Sequence, residues 1–360
     1  MTTEVKSQRT SNGVAWLVGM VVLVLIGLIA WIVQLSQGMA VLGIGQIVVW
    51  GVYIAAFFSF VGLASGLLIL AVLADLGVIP GLAASRFNLL IGALASYVAG
   101  GFMILMDIGK PLRVLNMIFY AQFRSPFVWD FLSLALGVIV TVIYLLVAPI
   151  GRWFPVVAGV VAGLVVVFEG WILSMSAGSP LWSGGMMPAI FLVEGLLMAL
   201  AICLIASFNP LASAALRIGL LVGLPILFMF NVFEMGANLY AGDVDDLFGT
   251  NLLLSNPLFW LMVILGIILP FVLLLLAGRN RTLLVVSGVL VVLGVFVAKT
   301  LTLVTGQAIS FLMGTASYTP SFVEFLGVIG VVGLAGLLYL LGTRFIPQNK
   351  SWERPDDSAL

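Results

Sequence analysis

The chain has 360 residues, of which 63% are hydrophobic and 8% are charged, and its mean hydropathy is +1.30. So large an apolar fraction excludes a soluble globular protein and predicts a polytopic membrane protein. Fourteen basic residues balance 14 acidic residues, so the charge gives no indication of nucleic-acid binding.

Apolar stretches of about 20 residues, long enough to cross the core of a bilayer, recur along the chain. They predict ten transmembrane helices, at residues 14–35, 46–74, 87–106, 127–148, 153–174, 186–207, 216–238, 257–277, 282–304 and 322–342. Two connections, 107–126 and 239–256, are long. With no soluble domain between the helices, we expect a single bundle.

The basic residues predict the orientation of this bundle. Lys6 and Arg9 precede the first apolar run, which is too long for the core of a signal peptide and is predicted to be retained. If the N-terminus is cytoplasmic, ten of the 14 basic residues lie on the inner side. The positive-inside rule therefore predicts a protein of the cell membrane with cytoplasmic tails at 1–13 and 343–360. Both long connections, the second carrying Asp243, Asp245 and Asp246, then face outward.

The sequence contains no histidine and one cysteine, Cys203. Histidine is the usual axial ligand of haem and the commonest protein ligand of metals. One thiol cannot hold an iron–sulfur cluster. We therefore expect that this chain binds neither haem nor metal, and that Cys203 is a buried thiol.

Titratable side chains gather in the outer half of the predicted bundle, whereas only Asp75 ends a helix on the inner side. The inner half is therefore predicted to be almost purely apolar. Glu169 lies about 8 Å below the outer end of its helix, and Glu194 lies about 12 Å deep. The remaining members of this outer group lie close to helix ends: Asp107, Asp130, Glu234 and Lys299.

Structural explanations exist for several of these residues. Asp107 and Asp130 could cap helices, and Glu234 could form an ion pair with Lys299. Glu169 and Glu194 are deeper and have no basic neighbour in their own helices, which favours a functional, proton-exchanging role. Four tryptophans are predicted to form an outer aromatic belt: Trp50, Trp129, Trp171 and Trp182.

Several local patterns occur in order along the chain. They are WGVYIAAFFSFVGLASG at 50–66, MDIGKPLR at 106–113, SPFVWD at 125–130, FEGWILSMSAGSPLW at 168–182, MMPAIFLVEG at 186–195 and KTLTLVTGQ at 299–307. Together they resemble the NrfD / polysulfide-reductase membrane-subunit family over about residues 46–310. The resemblance implies an all-α integral membrane protein with an eight-helix core at 46–310. One additional helix would then lie on each side of the core, within 14–45 and 311–342.

The family resemblance also implies a function. Members of the family are quinone-reactive anchors of molybdopterin-type respiratory complexes. They bind exchangeable menaquinone or ubiquinone near the outer face without haem or metal. They exchange electrons with a ferredoxin-like subunit that carries 4Fe–4S clusters, which is commonly joined to a molybdopterin catalytic subunit. The same two partners are expected on the outer face of this chain.

A quinone needs an apolar slot that ends in a few donors and acceptors, one of which handles a proton. We expect Glu169, Asp130 and Lys299 to act on the quinone. The predicted roles of the remaining residues are quinone binding for Tyr53, Phe57 and Phe168, proton relay for Glu194 and Glu234, and partner docking for Asp107, Lys110, Arg113 and Arg124.

Two other functions remain open at this stage. In a proton-coupled secondary transporter, the buried carboxyls and Lys299 would couple substrate to protons. Against this, the predicted inner half offers no polar exit route. The other alternative is a structural anchor without quinone reactivity.

Overall fold

The computed structural model describes residues 2–79, 81–147, 151, 153–176, 179, 181–182, 184–206, 209–241, 244–310 and 314–348. Within these ranges, ten helices are long and apolar enough to cross a membrane. The chain is an all-α integral membrane protein, as its hydropathy predicts. Most of the predicted C-terminal tail, and Asp243 in the second long connection, lie outside the described residues.

The helices follow one another along the chain as α1 (Thr2–Gln37), α2 (Val52–Asp75), α3 (Arg86–Asp107), α4 (Asn116–Phe119), α5 (Pro126–Leu146), α6 (Trp153–Ser174), α7 (Met187–Ala206), α8 (Pro210–Ala241), α9 (Val244–Ser255), α10 (Pro257–Met262), α11 (Leu269–Ala277), α12 (Arg281–Gln307) and α13 (Phe322–Phe345). A π-helical segment, Val263–Ile268, joins α10 to α11, so these pieces form one span. Strands β1 (Ile309–Ser310) and β2 (Gly314–Thr315) pair antiparallel after α12.

Two helix starts differ from the predicted ones. Helix α2 begins at Val52 instead of 46, and the extended backbone of Gly51 precedes it. Helix α8 begins at Pro210 instead of 216, because proline suits the first turn, where its missing N–H has no acceptor. The predicted connection at 239–256 contains α9.

All ten spans run between the same two ends of the bundle. We call one the Asp130 end, where α5 starts, and the other the Asp75 end, where α2 stops. Helix α2 lies at the centre and packs against α3, α6, α7, α12 and α13. Close crossings depend on glycine: a Cβ at Gly195 would meet the carbonyl oxygen of Gly62, and one at Gly330 would meet the backbone of Gly27.

Polar contacts join helices at the Asp75 end, so the expectation of an almost purely apolar half is wrong there. Arg86 Nε lies 3.0 Å from Asp75 Oδ2, and the Tyr144 hydroxyl donates to the same oxygen over 2.6 Å. Arg281 donates to the carbonyls of Leu204 and Ile205 at the end of α7. A cation there offsets the partial negative charge of the helix terminus.

Candidate functional site

A buried ion pair lies between α7 and α12. Lys299 Nζ is 2.9 Å from Glu194 Oε2, and the Lys299 side chain has no exposed surface. The ammonium also lies 3.4 Å above the centre of the Phe191 ring, a cation–π contact. The predicted pair of Lys299 with Glu234 is therefore wrong, because α7 presents Glu194 to the ammonium.

Glu169 is fully buried in α6, and neither of its carboxyl oxygens has a hydrogen-bond partner among the described residues. Its carboxyl lies within electrostatic range of Asp130 and Lys299. An unsatisfied buried polar group costs free energy and calls for a ligand, a water or a functional reason. This residue is thus the part of the site that most needs a further partner.

Asp130 of α5 lies within electrostatic range of Glu169. It lies inside the first turns of the helix, whose N-cap is Ser125, so the alternative explanation of Asp130 as a helix cap is wrong. One of its oxygens also lacks a hydrogen-bond partner within the described ranges. We call Asp130, Glu169, Glu194 and Lys299 the Lys299 cluster. This cluster contains one ammonium and three carboxyls, so the ammonium balances the charge of only one carboxylate.

An apolar cavity of about 640 Å³ is lined by residues of α2, α3, α7, α12 and α13, and its described lining does not include the four residues of the Lys299 cluster. Met198 in its wall lies one turn beyond Glu194 on the same face of α7, and Phe296 lies nearly one turn from Lys299 on α12. The cavity continues to Leu82, near the Asp75 end. One part of its wall thus lies within about one helical turn of the buried ion pair, and another part lies near the Asp75 end.

The aromatic residues predicted to bind quinone lie around the cluster in different ways. Phe168 stacks on Trp129, with 6.3 Å between ring centroids. Phe57 is buried against Phe58, whose ring packs edge-on against Phe191, the ring beneath the ammonium. Phe57 therefore reaches the cluster only through its neighbour.

Trp182 is buried, so the prediction of an outer belt is wrong for it. Its indole Nε1 donates to the Thr302 carbonyl over 2.9 Å, and its ring stacks on Trp50 with 5.7 Å between centroids. Gln307 fixes the same region, because its side chain accepts from the backbone N–H of Trp50 and donates to the Trp50 carbonyl. Gln307 has no role predicted from the sequence.

Tyr53 belongs to a second polar cluster at the Asp130 end. Its hydroxyl donates to Gln34 over 3.3 Å. Glu324 accepts from the Tyr318 hydroxyl over 2.8 Å, and both Tyr53 and Asp107 lie within electrostatic range of Glu324. We call these five residues the Glu324 cluster. The expectation that Tyr53 joins Glu169, Asp130 and Lys299 is therefore wrong.

The Glu324 cluster could have been recognised only in part from the sequence. Glu324 forms a capping box with Ser321 at the start of α13, and Ser-x-x-Glu is a readable signature of that motif. Its contact with Gly43, whose N–H donates to Glu324 over 2.7 Å, depends on the fold. Burial raises the pKa of Tyr318, which keeps its hydroxyl a donor.

Glu234 and the 108–125 segment lie apart from the Lys299 cluster. The Glu234 carboxylate accepts a backbone hydrogen bond from Met186 and interacts with Asp246. In 108–125, Lys110, Arg113 and Arg124 are exposed. They stand among exposed apolar side chains, which are Leu112, Leu115, Ile118, Phe119, Tyr120 and Phe123.

Comparison with known proteins agrees with this architecture. The family model described as polysulphide reductase, NrfD, matches residues 40–311. The chain belongs to the NrfD family. The resemblance found in the sequence motifs is thereby confirmed.

Two curated relatives match this NrfD-family chain over most of its length. One, from Halobacterium salinarum, is provisionally named as a membrane subunit of dimethyl sulfoxide reductase. It is 27% identical, over 94% of this chain and 92% of the relative. The other, the Hdr-like menaquinol oxidoreductase integral membrane subunit of Archaeoglobus fulgidus, is 24% identical, over 89% of each chain.

The buried ion pair generates a stability prediction. Lys299→Met leaves Glu194 without its partner and should lower the free energy of unfolding by about 3–5 kcal/mol. Lys299→Met combined with Glu194→Met removes both charges and should recover most of the loss. Thermal unfolding in detergent measures both effects. A double variant no more stable than Lys299→Met would show that the two charges do not depend on each other.

Proposed function

We propose that this NrfD-family chain is the quinone-binding membrane subunit of a respiratory oxidoreductase complex, and that quinone reacts at the Lys299 cluster. The observation that carries the proposal is Glu169, a fully buried carboxyl without a hydrogen-bond partner among the described residues, in electrostatic range of Lys299. Lys299 pairs with Glu194, which lies one helical turn from the wall of the apolar cavity. The name of the Archaeoglobus relative, a menaquinol oxidoreductase subunit, supports the same class of substrate.

The cavity and the cluster fit the two parts of a quinone. An isoprenoid tail is apolar and flexible, and the cavity offers it an apolar slot through the bundle. The headgroup has two oxygens, which need a donor and an acceptor. Lys299, nearly one helical turn from the cavity-lining Phe296, supplies a donor, and Glu194 holds its ammonium in place. We assign Phe168 to the apolar wall around the headgroup, and Phe57 to supporting that wall through Phe58 and Phe191.

The carboxyls give the site its proton chemistry. Oxidation of a quinol to a quinone breaks two O–H bonds and releases two protons and two electrons. Because Lys299 balances only one of three carboxylates, the cluster can hold protons on the other carboxyls. Glu169 and Asp130 are assigned as the groups that take the protons from quinol, or return them to quinone in the opposite direction.

The electrons must leave to another protein, which we take to be a ferredoxin-like subunit with 4Fe–4S clusters joined to a molybdopterin subunit. The exposed surface of 108–125 is the assigned docking site, because it combines arginine, lysine and aromatic side chains at the Asp130 end. Asp107 supports this surface from the Glu324 cluster. With both termini cytoplasmic, the docking surface faces out of the cell.

Glu234 receives a different assignment from the predicted proton relay. It accepts a hydrogen bond from the backbone before α7 and lies within electrostatic range of Asp246, and no described contact connects it to Glu194 or Lys299. We assign it to holding the start of α7 in place.

Glu169→Gln tests the site directly. The amide keeps the shape of the side chain but cannot take the proton, so quinol oxidation by the purified complex should fall by about a hundredfold or more. Assembly of the Glu169→Gln chain into the complex should be unchanged. Glu234→Gln is the matched control, the same replacement at the same end of the bundle, and should keep its turnover. Equal activity of Glu169→Gln and the parent complex would remove Glu169 from the mechanism.

A bulky side chain in the cavity wall should distinguish long-tailed from short-tailed substrates. Ala335→Phe fills part of the slot, so the KM for a long-chain menaquinol should rise by about tenfold or more, because tail contacts are lost. A short-tail naphthoquinol should be oxidised as before. Val160→Phe, at an exposed position on α6, is the control. The same KM change for both quinols would place the tail elsewhere.

Charge reversal on the 108–125 surface tests the docking assignment. Arg113→Glu should lower the yield of the iron–sulfur partner that co-purifies with this chain, because it removes a basic contact and adds repulsion. Arg279→Glu reverses an exposed arginine at the opposite end of the bundle and should leave the yield unchanged. Normal recovery of the partner with Arg113→Glu would argue for a different docking surface.

A further inference from the structure

Helices α12 and α13 line the same apolar cavity but pack mainly against other helices. Helix α12 packs against α2, α7 and α11, whereas α13 packs against α1, α2 and α3. No extended packing joins α12 to α13 among the residues that the structure describes. Because α2 packs against both helices and also lines the cavity, the cavity lies between α12 and α13 with α2 behind it.

The cavity reaches the outside of the bundle between these two helices. Leu293 of α12 and Val332 of α13 both line it, yet 55% and 50% of their surfaces are exposed. Val286 and Val289 lie on the same face of α12 as Leu293 and are exposed too, as is Phe325 on the Val332 face of α13. An exposed apolar face of a membrane-spanning helix contacts lipid. We call the gap between Leu293 and Val332 the lateral opening.

The lateral opening lies near the middle of the membrane. Leu293 is 12 residues from Arg281 at the start of α12, about 18 Å at 1.5 Å per residue. Val332 is ten residues from Phe322 at the start of α13, about 15 Å from the opposite end of the bundle. In a hydrocarbon core of about 30 Å, both positions are close to the midplane. A molecule that enters the cavity here therefore comes from lipid and not from water.

The wall of the cavity suits a flexible apolar chain. Its described lining includes no charged side chain, and the hydroxyl of Ser59 donates to the Ala55 carbonyl of its own helix over 2.7 Å. A phospholipid keeps its headgroup at the membrane surface, about 15 Å from the lateral opening. The tail of a quinol carries no such restriction, because its headgroup is uncharged and dissolves in the hydrocarbon core.

We propose that a long-chain quinol enters through the lateral opening, and that its isoprenoid tail then lies between Leu293 and Val332. The inference rests on the proposed function for the identity of the ligand. A volume of about 640 Å³ is that of a site for a drug-sized molecule, too small for the whole of a long-chain menaquinol. The first part of the tail therefore occupies the cavity, and the rest extends through the lateral opening into lipid.

One edge of the lateral opening lies outside the family core. The family model matches residues 40–311, whereas α13 begins at Phe322. Val332 and Ala335 of this helix line the cavity. Selection among quinols of different tail length is thus assigned in part to a helix beyond the matched region.

Photolabelling of the purified complex in liposomes tests the occupant. A long-chain menaquinone with a diazirine in the middle of its tail should label peptides that contain Leu293 and Val332. Excess unlabelled menaquinone should lower this labelling by about tenfold or more, because it competes for one site. A phospholipid with a diazirine on its acyl chain should label these positions no more than it labels the exposed Val160 of α6. Equal labelling by both probes, or labelling that menaquinone does not displace, would overturn the inference.

Two tryptophans test the lateral opening during turnover. Leu293→Trp combined with Val332→Trp narrows the gap, so the KM for a long-chain menaquinol should rise by about tenfold or more. A short-tail naphthoquinol should be oxidised as before. Val289→Trp is the matched control, because Val289 is exposed on the same face of α12 but is not in the described lining. An unchanged KM for the long-chain menaquinol in the double variant would count against the lateral opening.

The two experiments separate the inference from the proposed function. Displaceable labelling at Leu293 and Val332 in a complex that fails to oxidise quinol would support the lateral opening and reject the proposed function. Quinol oxidation that is lost in Glu169→Gln, without labelling at these two positions, would reject the lateral opening and leave the proposed function in place.

Discussion

A single buried ammonium organises the Asp130 end of this protein. The Lys299 side chain has no exposed surface, forms an ion pair with Glu194 and lies within electrostatic range of Glu169. A charge in such surroundings is costly unless it is paired, so α7 and α12 must present these side chains to each other. Helix α5 adds Asp130 to the same cluster. The proposed chemistry depends on the excess of carboxyls over the one cation.

Helix α2 separates two kinds of interior. Ala56 and Leu63 line the apolar cavity, whereas Ser65 lies on the opposite face at 100° per residue and shares a hydrogen bond with Tyr97 of α3. One helix thus keeps the slot assigned to the quinone tail apart from this buried polar contact. Its position in the middle of the bundle, where most of its surface is buried, makes this separation possible.

The Glu324 cluster attaches the helices outside the family match to the core. Helix α1 ends before residue 40 and α13 begins after residue 311, so both lie beyond the matched region. They pack against each other, and Gln34 of α1 and Glu324 of α13 meet Tyr53 at the start of α2. Polar contacts of this kind fix the rotation of a helix more strictly than apolar packing, because hydrogen bonds are directional.

The sequence by itself determined the ten spans and the family, because long apolar runs have one stable form in lipid and the motifs occur in order. It also predicted that Glu169, Asp130 and Lys299 lie near one another, since charged groups within such runs are conspicuous. Only the tertiary structure decided that Lys299 pairs with Glu194 instead of Glu234, that Tyr53 faces Glu324, and that Trp182 is buried. These contacts join helices far apart in the chain. The rotation of each helix about its axis decides them, and hydropathy carries no information about that rotation where every face is apolar.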